Sequence, residues 1–411
     1  MKYILLGTSV YGIENQGDEA LLTTLVRDLK EEDPEAHVTW VARHPDPNKA
    51  RAYGCDDVIR GLEHESKAAS QGRWFNGLNP GDDTSHLQEL ADRIREADVL
   101  IVGGDPFQEI SLALYRGLAP QAALLVTLSK FLGTPVVLYS IHIGSRVLSA
   151  HARELTKYCI ENAALTTLRE QFSADRLRDY GIDTGRCEVV ADSAWGLDSV
   201  DAPGMASDVL RRNQVVLPER RPVVGFNIRH NYWQWGEETW ARKRAEIVAF
   251  CDWLVEEHVC DVLSIPNCTY DLDHQYEDDR ELAREVKAAM KHGDRFHLLE
   301  EKMTLPETLS LFPGLAYHIS NRRHSAIFAA IHEVPTLALG GLWHVRPGMD
   351  EIGFGLPFLE PEFWTAGNLQ ESFEFVADRR EEMVRRLREA LPGLRAHARR
   401  QATMIAGVAR G

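Results

Sequence analysis

No stretch of the 411 residues reaches ~18 uninterrupted apolar positions, so the chain offers no helix able to span a bilayer. Met1-Lys2 leads straight into the strand-like Tyr3-Ile4-Leu5-Leu6, without the apolar run and small-residue cleavage site of a secretory signal. Cysteine is scarce: Cys55, Cys159, Cys187, Cys251, Cys260 and Cys268 fall in no C-x-x-C pair, which predicts reduced thiols in a cytoplasmic protein and no disulfide framework. Positive charge is in deficit, with 62 acidic against 46 basic residues and a net charge of −16. That balance argues against nonspecific nucleic-acid binding and leaves membrane contact at most peripheral. An anionic small substrate would need a locally positive pocket.

Two cofactor signatures are also missing. Gly7, Gly12 and Gly17 recur every five residues instead of in a G-x-G-x-x-G pattern, and the second strand ends in Val41-Ala42-Arg43 without an acidic residue, so bound NAD is disfavoured. The acidic cluster Asp271, Asp273, His274, Glu277, Asp278 and Asp279 lacks the glycine and terminal glutamate of an EF-hand loop and any H-E-x-x-H spacing. It reads as a solvated loop. No cofactor and no metal are expected.

What is present is alternation. Short apolar runs at Tyr3 to Gly7, His37 to Ala42, Val99 to Gly103, Pro135 to Ser140, Leu165 to Leu168 and Glu188 to Ala191 are separated by helix-length amphipathic segments. Such spacing predicts βα units in a parallel sheet. A fresh alternation starts at Pro222 to Ile228, with a helix near Glu238 to Glu256, a strand at Val262 to Ile265 and another at Ala316 to Ser320. The expected fold class is α/β, with two Rossmann-like doubly wound domains facing a cleft. The expected divisions are an N-terminal domain over residues 1–200, a linker over 201–221, a C-terminal domain over 222–375, and a terminal helix over 376–411. In that last segment Met383, Val384, Leu387, Leu391 and Leu394 recur at helical spacing among arginines, as in a solvated helix packed at the domain junction.

Several motifs sit where strands give way to helices. Asn15-Gln16-Gly17-Asp18-Glu19-Ala20 precedes the helix that Leu21, Leu22, Leu25 and Leu29 define, and such a loop presents backbone N–H groups and small polar side chains at a strand's carboxyl end. Capping by Asn15 or Asp18 is an equally good account of it. Gly103-Gly104-Asp105 follows a buried strand and permits close backbone approach. Arg169 with Ser173 reads as an ion-paired arginine and a capping serine. Asn227-Ile228-Arg229-His230 and Arg322-Arg323-His324 end two strands of the C-terminal domain. In a doubly wound sheet those ends share one edge, where Arg229 and Arg322 can hold phosphate and carboxylate while His324 moves a proton.

Taken in order, the Asn15 to Ala20 loop, Gly103-Gly104 with Gln108-Glu109, Arg169 with Ser173, Val190-Ala191-Asp192, Arg229, and Arg322-Arg323-His324 with Val334-Pro335 resemble the polysaccharide pyruvyl transferase family. The resemblance implies a glycosyltransferase-B-like pair of domains. It also implies transfer of the pyruvyl group of phosphoenolpyruvate onto two hydroxyls of a sugar, glycan or sugar-lipid acceptor, forming a ketal and releasing phosphate. By that analogy Arg229, Arg322, Arg323 and His344 bind the donor, and His324, Arg322 and Asp18 are catalytic. Glu19 and Asp192 are alternatives to Asp18 as base. Asn15, Gly17, Asp18, Glu19, Gly103, Gly104 and Asp105 face the acceptor. The chain departs from the family pattern at Asp105-Pro106, where glycines are common, and at Arg323, where a hydrophobic residue is common. Gly341 and His344 likewise stand near the places of a tyrosine and a lysine. Two other readings fit the same architecture: a nucleotide-sugar-dependent glycosyltransferase, and a catalytically silent family member acting as a binding protein.

Overall fold

The structure is a computed structural model and describes residues 1–6, 14–42, 44–62, 83–104, 106–107, 118–144, 148–230, 236–269, 278–340 and 358–411. The chain forms two compact units. The first comprises residues 1–12, 18–196 and 394–411, and the second residues 13–17 and 197–393.

In chain order the first strands are β1 (Lys2–Leu6), the two-residue β2 (Glu14–Asn15), β3 (His37–Ala42), β4 (Asp57–Arg60), β5 (Val99–Val102), β6 (Val136–Ile141), β7 (Leu165–Leu168) and β8 (Cys187–Val189). All but β2 form one parallel sheet in the order β4-β3-β1-β5-β6-β7-β8. Both faces of its central strands are buried, which is why Val99-Leu100-Ile101-Val102 is an unbroken apolar run. Alternate residues feed two cores. Ile4, Leu100, Val102 and Leu138 pack on one face, and Tyr3, Leu5, Val99, Ile101 and Tyr139 on the other. The second face is covered by the helix Gln16–Glu32, through the expected Leu21, Leu22, Leu25 and Leu29, and by Ala402 and Ile405 from the chain's last helix.

The second unit adds β9 (Val223–Asn227), β10 (Asp261–Ser264), β11 (Cys268–Thr269), β12 (Phe296–Leu298), β13 (Tyr317–Ser320), β14 (Thr336–Leu339) and β15 (Phe358–Leu359). Its parallel sheet runs β12-β10-β9-β13-β14-β15, while β11 pairs antiparallel with β2. In each sheet the first strand has neighbours on both sides that belong to different halves of the order, so the winding reverses between β1 and β5 and again between β9 and β13. Ligands of open α/β sheets bind beyond the carboxyl ends of strands at such reversals. The segment expected as a linker carries a helix, Pro203–Arg212, with Val209 wholly buried and a proline at its first turn. The acidic residues Asp278 and Asp279 are buried, unlike the solvated loop their sequence suggests, while Asp271, Asp273, His274 and Glu277 lie outside the described residues. Among the described residues no helix is long and apolar enough to cross a membrane, and no group of three or more His, Cys, Asp or Glu is placed to hold a metal ion.

Candidate active site

The second unit brings the strongest sequence signals together. β9 and β13 are adjacent and parallel, with Ser320 in register with Asn227, so Arg229 and Arg322 leave neighbouring strand ends. Those ends are stitched beyond the sheet. The Arg229 backbone N–H donates to Asn321 Oδ1 at 2.9 Å, the Asn321 amide returns to the Arg229 carbonyl at 3.4 Å, and Arg322 N–H donates to Ser320 Oγ at 2.9 Å. Arg229, Arg322 and Arg323 are all buried, and a buried cation requires a partner.

For Arg322 the partner is Asp279. Its Oδ1 accepts from Arg322 Nε at 3.0 Å and from Nη2, while Oδ2 accepts from the backbone N–H groups of Asn267 and Cys268, both at 2.9 Å, and from the Asn227 amide at 3.1 Å. One carboxylate thereby ties together β9, β11, the segment between β10 and β11, and the second residue after β13. Asp279 opens the helix Asp279–Ala289, and Asp278 caps it by accepting from Arg280 N–H at 2.9 Å. Sequence reasoning missed Asp279 because its neighbours on the amino-terminal side are acidic. The available signal was Asp278 standing before an amphipathic helix, which marks the pair as a helix start instead of loop.

Arg322 is the N-cap of the helix Arg323–Ile331, which places Arg323 and His324 in its first turn. Every other residue of that helix is buried, and His324 alone keeps partial exposure. The imidazole lies against Gly17. A Cβ built on Gly17 would fall 2.5 Å from His324 Cγ and 2.8 Å from Cε1, and closer still to Nδ1. Asn15 and Gly17, expected with the acceptor, thus pack with the second unit: β2 pairs with β11, Gln16 N–H donates to Asn267 O at 3.0 Å, and Gln16 Nε2 donates to Met303 O at 2.6 Å. His230, next to Arg229, stacks obliquely on Trp240 with ring centroids 5.0 Å apart. Burial holds its pKa below the usual range, and Glu285, 3.4 Å away, only partly opposes that effect.

In the first unit, Asp18 and Glu19 occupy the first turn of the helix Gln16–Glu32, where carboxylates suit the helix dipole. Gly103 N–H donates to Leu6 O at 2.7 Å, which joins the ends of β1 and β5 at the reversal point. Gly104 has φ of 77°, a left-handed conformation that favours glycine. Farther along the same edge Arg169 lies 3.6 Å from Asp192 and 3.7 Å from Glu170, in keeping with a structural ion pair. Ser173 is not a cap: Glu170 is the N-cap, and the buried Ser173 hydroxyl donates to Glu170 Oε1 while accepting from Ile143 N–H at 2.8 Å. His142 Nδ1 is 2.8 Å from the same Glu170 oxygen, an arrangement the sequence did not signal because its members come from different strand ends. Asp105 and His344 lie outside the described residues.

Solved structures of like fold include a glycosyltransferase from Rickettsia africae (12% identity, 99% of this chain and 98% of that chain, TM-score 0.64). A UDP-GlcNAc 2-epimerase from Neisseria meningitidis bound to UDP-GlcNAc is also similar (12% identity, 99% of each chain, TM-score 0.58). So is the UDP-GlcNAc 2-epimerase of Methanocaldococcus jannaschii in complex with UDP-GlcNAc and UDP (14% identity, 92% of each chain, TM-score 0.56). These likenesses establish a glycosyltransferase-B-like α/β architecture. The family model for polysaccharide pyruvyl transferase matches residues 15–341, from the Asn15 loop through the Arg322-Arg323-His324 strand end, and the chain belongs to that transferase family.

Proposed function

We propose that the protein transfers the pyruvyl group of phosphoenolpyruvate onto two hydroxyls of a sugar, glycan or sugar-lipid acceptor, releasing phosphate and leaving a cyclic ketal. The observation that carries this reading is that Arg229 and Arg322 leave adjacent strand ends at the winding reversal of the second unit, with His324 in the first turn of the helix that follows, within a family that performs transfer. Phosphoenolpyruvate carries a phosphate and a carboxylate on three carbons, and planar guanidinium groups suit both anions. Arg229, Arg322, Arg323 and His344 are assigned to the donor. Asp279 fixes Arg322 by accepting from one edge of its guanidinium, so the group is oriented before substrate arrives.

His324 is assigned as general acid. Proton transfer to C3 converts the enol methylene to a methyl and leaves C2 cation-like, and an acceptor oxygen then bonds to C2. A second acceptor hydroxyl forms the other C2–O bond as the C2–O bond to phosphate breaks. Of the two hydroxyl protons released, one in effect replaces that spent on C3 and the other leaves with phosphate. Asp18 is the base toward the first hydroxyl in this scheme, with Glu19 and Asp192 as the alternative carboxylates. Asn15, Gly17, Gly103, Gly104 and Asp105 are assigned to the acceptor side.

The test is incubation with phosphoenolpyruvate and a panel of glycans and sugar-lipids, following phosphate release and a gain of one pyruvyl group by mass. His324→Ala is expected to lower turnover by at least tenfold, about 1.4 kcal/mol. Binding of a uridine or guanosine diphosphate, with no phosphate release from phosphoenolpyruvate across the panel, would favour a nucleotide-sugar glycosyltransferase. That second reading draws on the nucleotide-bound structures of like fold.

A further inference from the structure

Gly17 does not owe its identity to backbone conformation. Its φ lies outside the left-handed region, and it is the second residue of the helix Gln16–Glu32, a place where alanine ordinarily forms helix better than glycine. What excludes a side chain is His324, whose ring occupies the space a Cβ would take, 2.5 Å from Cγ and 2.8 Å from Cε1. The backbone carrying Gly17 has little freedom to retreat. Gln16 is held by Asn267 O at 3.0 Å and, through its side chain, by Met303 O at 2.6 Å, and the Gly17 N–H donates to Asn15 Oδ1 at 3.0 Å. Asn15 Oδ1 also accepts from Asn267 Nδ2 at 3.4 Å, and β2 is paired to β11 through Asn15 and Cys268.

These contacts close on themselves. Asn267 and Cys268, which anchor the Asn15 to Gly17 segment, are themselves held by Asp279 Oδ2 at 2.9 Å, and Asp279 Oδ1 holds Arg322, two residues before His324. His324 is therefore fixed from its own backbone by the Arg322–Asp279 pair and across its ring by Gly17, within one hydrogen-bonded circuit. We infer that Gly17 is a positioning residue for His324: the missing side chain at 17 sets where the imidazole stands, and Asp279 anchors both sides of that contact. The catalytic consequence rests on the proposed pyruvyl transfer, whereas the positioning itself does not.

The test is a thermal double-mutant cycle on the full chain. With His324 present, Gly17→Ala is expected to lower the melting temperature by about 2–6 °C, because the new methyl and the ring compete for one space. In the His324→Ala background the same change is expected to be neutral or to raise it, as for any helical glycine replaced by alanine. Gly204→Ala, in the helix Pro203–Arg212 with nothing within 4 Å of the added methyl, serves as the uncoupled control in both backgrounds. If Gly17→Ala alone fails to fold, the double variant must restore folding. Equal effects of Gly17→Ala in the two backgrounds, or failure of the double variant to recover, would overturn the proposal.

A second readout separates positioning from bulk stability. In histidine-labelled protein the His324 ring resonances, assigned by their loss in His324→Ala, are expected to move in Gly17→Ala while those of His318 and His142 stay in place. Unmoved His324 resonances would sink the idea. Neither measurement uses phosphoenolpyruvate, so absence of pyruvyl transfer would reject the proposed reaction without touching this result. Where transfer is observed, Gly17→Ala is expected to lower kcat at least tenfold with the KM for phosphoenolpyruvate within about twofold.

Discussion

At the scale of single residues, the candidate site is organised by one buried carboxylate, Asp279. Asp279 accepts two hydrogen bonds from Arg322, two from backbone amides and one from Asn227, so its removal takes two hydrogen bonds from a buried guanidinium and frees three other donors. Breaking a buried ion pair by deleting one partner typically costs about 3–5 kcal/mol, and Asp279→Ala is expected to lose that much in urea unfolding. Asn321 is a smaller version of the same device. Asn321→Ala removes both side-chain contacts to the Arg229 backbone and is expected to cost about 1–2 kcal/mol and, if the proposed reaction holds, to raise the KM for phosphoenolpyruvate as Arg229 loosens. The Arg322-Arg323-His324 cluster was legible in sequence because it follows a strand and precedes an apolar helix. Asp279 was not, since it is 43 residues from Arg322 and follows a run of acids that reads as solvent-facing. Charge patterning along a chain reports neighbours in sequence, whereas a buried pair is made by the sheet.

Among the elements, the central strands announced themselves and the marginal ones did not. β1, β3, β5, β6 and β7 are apolar runs buried on both faces, and their expected limits differ from the observed by about a residue. β4 (Asp-Val-Ile-Arg) and β12 (Phe-His-Leu) are short edge strands with polar residues and carry no comparable signal. The helix Pro203–Arg212 was hidden for a similar reason, having only Val209 fully buried. Strand β13 carries its own pH signature. His318 is wholly buried beside Phe312, with Nε2 2.9 Å from Ser325 Oγ, and burial lowers its pKa from 6.5 to about 3. The unfolded chain binds a proton there below pH 6.5 and the folded protein does not until about pH 3, so the stability associated with neutral His318 is present above 6.5 and drains away as pH falls toward 3. His318→Gln is therefore expected to flatten the acid limb of the stability profile by up to about 1.4 kcal/mol per pH unit. Urea midpoints taken across that range check it.

For the whole molecule, the decisive element is the last helix, Arg380–Ala409. Its first half buries Met383, Leu387 and Leu391 and belongs to the second unit, and from Leu394 it belongs to the first. There Ala402 and Ile405 complete the core behind β1 and β5. Gln401 bridges β7 and the segment after β8, accepting from Thr167 Oγ1 at 2.7 Å and donating to Ala191 O at 3.1 Å and to the Ser193 hydroxyl at 2.9 Å. Removing residues 394–411 is expected to open that core and leave the first unit aggregating well below the melting temperature of the full chain, as measured by calorimetry and light scattering. The helical spacing of Met383, Leu387 and Leu391 made this helix visible in sequence, but nothing local to it specified that Gln401 would bind the carboxyl-end region of a sheet begun at residue 2.

A unit built from residues 1–12, 18–196 and 394–411 cannot complete its core until the whole of the second unit's long segment, 197–393, has been synthesised. During translation the early sheet must wait, its β1 and β5 face covered by the helix Gln16–Glu32 but lacking Ala402 and Ile405, until residues 394–411 emerge. A chaperone that holds apolar surface would shield that face in the interval. A stop codon anywhere before residue 394 would then compromise the first-made unit along with the second.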